Sequence, residues 1–242
     1  MTRDRKSVLL LGATGMLGQE CLRLLRESDG IARIVVLTRR PPGADLLGPK
    51  TEARTINFDR LTAAAPFFSV DTIICALGTT MKKARTHKQF RAVNLLYPLT
   101  AAHLGIEKSV SHFLFASVHG ADAGSRSFFN RTKGELEDAV KALPYHAVTV
   151  VRPSALGGKR KDRRIGEQLA GRLAFLVPAA ARPISATDVA AVLVHEAVHG
   201  RAGTRIFESV ELPLMAASLL AAGGAGDSGE PGLQDLPRAS VA

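Results

Sequence analysis

Apolar residues recur along this chain in short unbroken runs, each followed by a stretch with helical spacing. Val8-Leu9-Leu10-Leu11 is the first run; it stops at Gly12, and apolar positions resume at Leu17, Cys21, Leu24 and Leu25. A run without polar alternation marks a strand buried on both faces, and the spacing after it marks one face of a helix. The pattern repeats. Arg33–Thr38, Ala53–Asn57, Asp71–Leu77, Ser111–Ala116 and His146–Val151 read as the second to sixth strands. Between them lie a long helix with Phe90, Val93, Tyr97, Ala101 and Leu104 on one face, and a second helix over about 130–143. Past Pro153 the alternation loosens into a basic loop and a helix around 166–176. The helix-start signal Pro183-Ile184-Ser185-Ala186-Thr187-Asp188, a helix to about Gly200 and a strand over 204–208 follow.

Strands alternating with helices in this way predict an α/β fold with a doubly wound parallel sheet of the Rossmann kind. Such sheets bind ligands at the carboxyl ends of their strands. We expect one nucleotide-binding domain over 1–222, with small substrate-side elements after the sixth strand. Residues 223–242, dominated by Gly, Pro, Ser and Asp, read as a disordered tail.

The first strand-to-helix turn, Gly12-Ala13-Thr14-Gly15-Met16-Leu17-Gly18, carries glycines three apart. Gly12 allows a sharp turn, Gly15 has no Cβ to keep a diphosphate from the backbone, and Gly18 lets helix and strand pack closely. The N–H groups of the helix's first turn lack intrahelical partners and would face the anion. Glycine triplets alone are weak, but here a buried strand precedes and an amphipathic helix follows, as the dinucleotide fingerprint requires. An acidic residue at the end of the second strand would bind ribose hydroxyls and repel a 2′-phosphate. This chain has Thr38, Arg39 and Arg40 there instead. Either arginine could simply sit on a bare loop, yet a guanidinium pairs with phosphate and stacks on adenine. The position favours NADP(H) over NAD(H).

Composition narrows the remaining classes. At 242 residues, 46% hydrophobic and 22% charged, the chain can bury a full core. Met1–Lys6 is charged but leads into only a brief apolar run, unlike a signal peptide, and Leu212–Ala225 is too short to span a bilayer. Cys21 and Cys75 fall in a predicted helix and a predicted core strand, and read as buried hydrophobes of a reducing compartment. These features lead us to expect a cytoplasmic protein. The net charge of +10 gathers in Lys82–Lys88 with Arg91, and in Lys159–Arg164. A solvated basic face accounts for it most simply, attraction of an anionic cofactor or substrate next. Nucleic acid is disfavoured, since aromatics are only 5% of the chain and none interleaves either basic run. The partner is expected to be a small molecule or an unidentified protein, and not a membrane.

Taken together, the GxxGxxG turn and several further motifs resemble a known family. They are Ala76-Leu77-Gly78-Thr79-Thr80, Phe90-Arg91-Ala92-Val93-Asn94, Tyr97-Pro98, Phe113–Ser117 with Gly120-Ala121-Asp122, Lys133-Gly134-Glu135-Leu136-Glu137 and Arg152-Pro153-Ser154. This set is similar to the atypical and extended short-chain dehydrogenases, in particular the Tat-interacting-protein-like oxidoreductases near the epimerase-like and NmrA-like branches. The resemblance covers roughly residues 7–210. It implies an NAD(P)-binding oxidoreductase acting on a carbonyl or hydroxyl compound, with a Ser-Tyr-Lys centre. In such a centre serine orients the carbonyl, tyrosine exchanges a proton with its oxygen, and lysine lowers the tyrosine pKa and holds the nicotinamide ribose.

Ser117 and Lys133 match that centre, but the tyrosine's place, four before the lysine, is taken by Phe129. Phenylalanine keeps the ring and loses the acid. Catalysis is therefore compromised, and a non-catalytic NADP(H)-binding sensor or regulatory protein is the rival. The cofactor is expected at Gly12, Thr14, Gly15, Met16, Leu17, Arg39 or Arg40, Asp59 near the adenine, Leu77, Gly78 and Thr79 beyond the fourth strand, and Lys133. His119, two past Ser117, could stand in as proton donor. His195-Glu196-Ala197-Val198-His199 satisfies the HExxH zinc pattern. Val189, Val192 and Leu193 explain that segment as a packing helix, and no metal is expected. His112 and His146, at strand starts, read as surface or structural groups.

Overall fold

The computed structural model describes residues 5–157 and 183–224. Its strands are β1 (Lys6–Leu11), β2 (Ile31–Thr38), β3 (Thr51–Thr55), β4 (Thr72–Cys75), β5 (His112–Ala116), β6 (Ala147–Arg152), the short β7 (Leu156–Gly157) and β8 (Ile184–Ser185), and β9 (Gly203–Glu208). Its helices are α1 (Met16–Glu27), α2 (Met81–Ala84), α3 (His87–Arg91), α4 (Tyr97–Glu107), α5 (Phe128–Lys141), α6 (Ala186–His199) and α7 (Leu212–Gly224). Seven strands form one parallel sheet in the order β3-β2-β1-β4-β5-β6-β9, and β7 pairs with β8 apart from it. The order runs outward in both directions from β1. The crevice between the carboxyl ends of β1 and β4 is therefore the topological switch point, where open α/β sheets bind ligands.

Successive strand residues serve opposite faces, and both faces are covered. Val8, Leu10, Val36, Ile74, Leu114 and Val151 pack under α1 and α6, with Leu17, Cys21, Val189 and Leu193 among their partners. Leu9, Leu11, Val35, Ile73, Phe113, Phe115 and Val150 pack on the other side with Ala101 and Leu104 of α4 and Leu136 and Val140 of α5. This double burial is why the strands read as continuous apolar runs. Cys21 and Cys75 are both buried and unpaired by disulfide.

The expected strands lie where the pattern places them, with some shifts, and α2 and α7 are helices that the pattern did not indicate. β3 lies two residues earlier than expected and is half-polar, because it is the sheet's edge. β4 stops at Cys75, where Ala76 donates its last bond to Leu11 O at 2.9 Å, so Leu77 already belongs to the loop. The single long helix expected to carry Phe90, Val93, Tyr97, Ala101 and Leu104 is instead α3 and α4 joined by a π turn, Ala92–Leu96. α5 begins at Phe128, capped by Ser127 Oγ, and so carries Phe129 and Lys133 on one helix. His112 is structural rather than superficial: it is buried and shares a 2.9 Å hydrogen bond with Thr149 Oγ1. The basic run Lys159–Arg164, the helix expected around 166–176 and the tail beyond Gly224 lie outside the described residues.

Candidate cofactor and active site

The glycine turn closes by a 2.9 Å bond from Gly15 N to Gly12 O. Gly12 sits at φ +88°, against the backbone after β4: a Cβ there would stand 2.6 Å from Ala76 O. Gly15 caps α1 with no side-chain bond to the helix, and the first turn has no acidic residue. Leu17 points into the core and Met16 is 50% exposed, so both offer the turn their N–H groups rather than their side chains. Thr14 and Gly15 are exposed beside them. An uncapped, positively polarised helix start lined by glycine fits a diphosphate.

Across the crevice, Gly78 is open, with only Asn94 Oδ1 at 3.7 Å from where a Cβ would be. Asn94 ends one of the motifs that carried the resemblance, but the sequence alone assigns it no role. Its buried amide accepts from Thr79 N (3.3 Å) and donates to Thr79 O and Phe90 O (both 3.1 Å). It thereby fixes the loop that carries Leu77, Gly78 and Thr79. The signal was an amide in an otherwise apolar run, Ala92-Val93-Asn94-Leu95-Leu96.

At the end of β2, Arg39 and Arg40 are exposed and have no ion pair among the described residues. Thr38 Oγ1 donates to Arg40 O at 2.6 Å and shapes that loop. Asp59 lies across from it, its carboxylate accepting the Tyr97 hydroxyl. Burial and Asp59 push the Tyr97 pKa up, while nearby Arg39 pulls it down. Arg39, Asp59 and Tyr97 thus form one polar cluster beyond β2.

The third group gathers past β5. Lys133 is buried, and its Nζ donates to Ala116 O at 3.0 Å. Burial pulls its pKa down to about 8, against the raising influence of Cys75 and Glu137. The next residue, Ser117, is buried with its Oγ lacking a hydrogen-bond partner. Gly134 lets α5 approach the following loop, since a Cβ there would meet Asp122 C and Ala123 N at 2.2 Å. Asn130 Nδ2 ties the same loop through Gly120 O at 2.8 Å. Phe129 is half-buried, its ring 5.6 Å from that of Phe90. His119 is partly exposed, with Nδ1 3.7 Å from Glu208 Oε2. Glu208 pairs with Arg152 at 2.7 Å, and Arg152 reaches buried Glu137 at 2.6 Å.

The HExxH segment lies on α6, but its glutamate is engaged. Arg205 binds both oxygens of buried Glu196, at 2.7 and 2.8 Å. His195 and His199 pack ring to ring, 4.8 Å between centroids. No group of three His, Cys, Asp or Glu among the described residues is placed to hold a metal.

Residues 7–95 match the family described as semialdehyde dehydrogenase, NAD-binding domain. An Aspergillus fumigatus protein, fmp52, mitochondrial, is 31% identical over 168 residues, covering 66% of this chain and 71% of that protein. Rat protein HTATIP2 is 30% identical over 177 residues, covering 72% and 73%. The chain belongs to the HTATIP2/FMP52 family. The match of residues 7–95 to an NAD-binding domain agrees with the nucleotide-binding fold that the resemblance implied. The fold agrees with that of the Bordetella bronchiseptica enzyme WbmG, solved in complex with NAD, at a TM-score of 0.65 and 14% identity over 98% of this chain and 85% of that one. The cytoplasmic expectation is overturned, because the fungal members of the HTATIP2/FMP52 family are named as mitochondrial. Two buried thiols exclude a disulfide framework but do not tell one reducing compartment from another.

Proposed function

We propose that this chain binds NADP(H) along the crevice between β1 and β4 and reduces a carbonyl compound beside Ser117. The observation that carries this is the unpartnered Ser117 hydroxyl, buried one residue from the carbonyl that holds Lys133. A buried polar group without a partner costs about 1–3 kcal/mol. A ligand oxygen or amide reaching Ser117 would remove that cost.

The diphosphate would lie on the N–H groups of Met16 and Leu17, over Gly12, Thr14 and Gly15. Leu77, Gly78 and Thr79 would line its path, with Asn94 keeping their backbone rigid. Arg39 or Arg40 would take the 2′-phosphate, and Asp59 would sit by the adenine. Bound there, the reduced nicotinamide would supply the hydride. Ser117 would orient the substrate carbonyl, and Lys133 would hold the ribose hydroxyls with a buried ammonium already aimed at that corner. The absence of a hydroxyl at Phe129 favours a second reading, a cofactor-binding protein that signals occupancy without turnover.

Calorimetric titration with NADPH, NADP, NADH and NAD, followed by a carbonyl screen with the tightest binder, tests both. Submillimolar binding with NADPH ahead, and reduction of some carbonyl, is the expected result. Tight binding without any turnover would support the sensor. No binding of any of the four would sink both readings.

A further inference from the structure

The centre lacks the tyrosine that would give the substrate oxygen its proton, and among the described residues His119 stands on the right face to do so. Ser117 N donates to Val151 O (2.8 Å) and His119 N to Pro153 O (2.9 Å), continuing the parallel ladder between β5 and β6 past the formal end of β5. Residues two apart in such a ladder project to the same side. That side is the α5 face, to which Phe113 and Phe115 also point. Val150 and Ile206 belong to it as well, so Arg152 and Glu208, two residues further along their strands, share it. Ser117, His119, Lys133, Arg152 and Glu208 therefore lie on one side of the sheet at its carboxyl end.

We propose that His119, oriented by Glu208, is the proton donor of this site in place of the missing tyrosine hydroxyl. The proposal rests on the carbonyl-reduction reading above. Glu208 is the positioning residue. Its Oε1 is taken by Arg152 at 2.7 Å, its backbone N–H donates to Glu211 Oε2 at 2.7 Å, and its Oε2 faces His119 Nδ1. Arg152 is itself anchored on Glu137 at 3.0 and 2.6 Å, with Lys141 4.0 Å from the same carboxylate. A carboxylate facing Nδ1 at 3.7 Å attracts the protonated ring and leaves Nε2 to serve a substrate. Among the described residues the Lys133 ammonium also lies on this face, giving one of its hydrogens to Ala116 O.

The chemistry balances. Hydride moves with its electron pair from the reduced nicotinamide to the carbonyl carbon, and the C=O π pair passes to oxygen. The proton on His119 Nε2 then bonds to that oxygen. The carbonyl is reduced to an alcohol, the dinucleotide is oxidised, and the neutral imidazole is recharged by water. Water can reach it, because the His119 side chain is 46% exposed. A buried Ser117 and a solvent-linked His119 divide the work of orientation and proton supply.

Two measurements test this, one without cofactor. The first follows the His119 ring by NMR across pH in wild type and Glu208→Gln. Removing the neighbouring carboxylate should free the ring to change tautomer and orientation and so move its 15N resonances, and unchanged resonances would overturn the pairing. The second compares NADPH affinity and aldehyde turnover in wild type, His119→Ala, and His119→Ala with Phe129→Tyr. His119→Ala should leave NADPH affinity intact and lower kcat roughly 100-fold, within the usual range for a general acid. Wild-type kcat should fall as pH rises through imidazole titration, and Phe129→Tyr should restore turnover to the His119→Ala protein. Unchanged kcat in His119→Ala, or NADPH binding with no wild-type turnover, would overturn the role of His119 while leaving cofactor binding standing. Failure of NADPH to bind at all would instead remove the reading beneath it.

Discussion

The Cβ that Gly18 lacks would stand 2.0 Å from the carbonyl oxygen of Gly12. The same addition at Gly15 would meet only that oxygen, at 3.3 Å, and at an ordinary extended φ of −82°. Two glycines of one motif therefore do different jobs. Gly18→Ala forces backbone apart and should cost at least the ~1–3 kcal/mol of overpacking, seen as a lower melting temperature. Gly15→Val should melt near wild type yet lose nucleotide binding in calorimetry. Undiminished affinity in a folded Gly15→Val protein would remove the diphosphate from this turn.

Cofactor choice is carried by the end of β2. Replacing Arg39 and Arg40 together by Asp should weaken NADPH about ten- to a hundredfold more than NADH, since charge-assisted pairs contribute about 1.5–3 kcal/mol. Equal losses for both nucleotides would assign the two arginines to the surface. Single variants would show which of them does the binding.

Phe129 packs against Phe90 and is one helical turn from Lys133. Phe129→Tyr in the otherwise unchanged protein should raise carbonyl reduction most at alkaline pH, where an imidazole has lost its proton. NADPH affinity should stay within about twofold, because the ring itself is retained. No gain at any pH, on a panel of aldehydes and ketones, would make position 129 a packing site alone.

Stability should decline on the acid side. Burial, then the charges of Lys6, Arg205 and His146, hold the His112 pKa down at about 4 from its ordinary 6.5. Between those values the unfolded chain binds the proton and the folded one does not, so stability falls as pH drops from about 6.5 to 4 and is retained above. The loss can reach about 3 kcal/mol for this ring. His195, also held at about 4 by burial, His199 and Arg205, adds in the same direction. Urea denaturation at pH 7 and pH 4.5 should show a smaller difference in His112→Asn than in wild type. An identical difference would exclude His112 as a source.

The strands were readable because a sheet covered on both faces leaves no polar positions to interrupt an apolar run. The glycine turn was readable because close backbone at Gly12 and Gly18 leaves no room for a Cβ. Ser117 and Lys133 were found through the family resemblance, which also exposed Phe129 as the departure from it. Other features join distant segments and leave no local trace. Glu137, Arg152 and Glu208 come from α5, β6 and β9, and only the fold brings them together. Arg205 likewise takes Glu196 out of an apparent zinc motif from a different element. The break between α3 and α4 was hidden for another reason. Phe90, Val93, Tyr97, Ala101 and Leu104 keep a helical rhythm that an average over the segment reads as one helix.

That break has a consequence for how the chain can change length. A π turn holds one residue more than an α-helix needs for the same span. Deleting one residue from Ala92–Leu96 would let the two helices fuse into a regular rod. Each residue of a regular helix turns the side chain about 100°. The π turn absorbs that angle, so α3 and α4 keep their phase with or without the surplus residue. The residues inside the turn are the ones its loss would move, and Asn94, whose amide holds Thr79, is among them. The extra residue thus lets one amide reach sideways to a neighbouring loop while the helix around it runs on undisturbed.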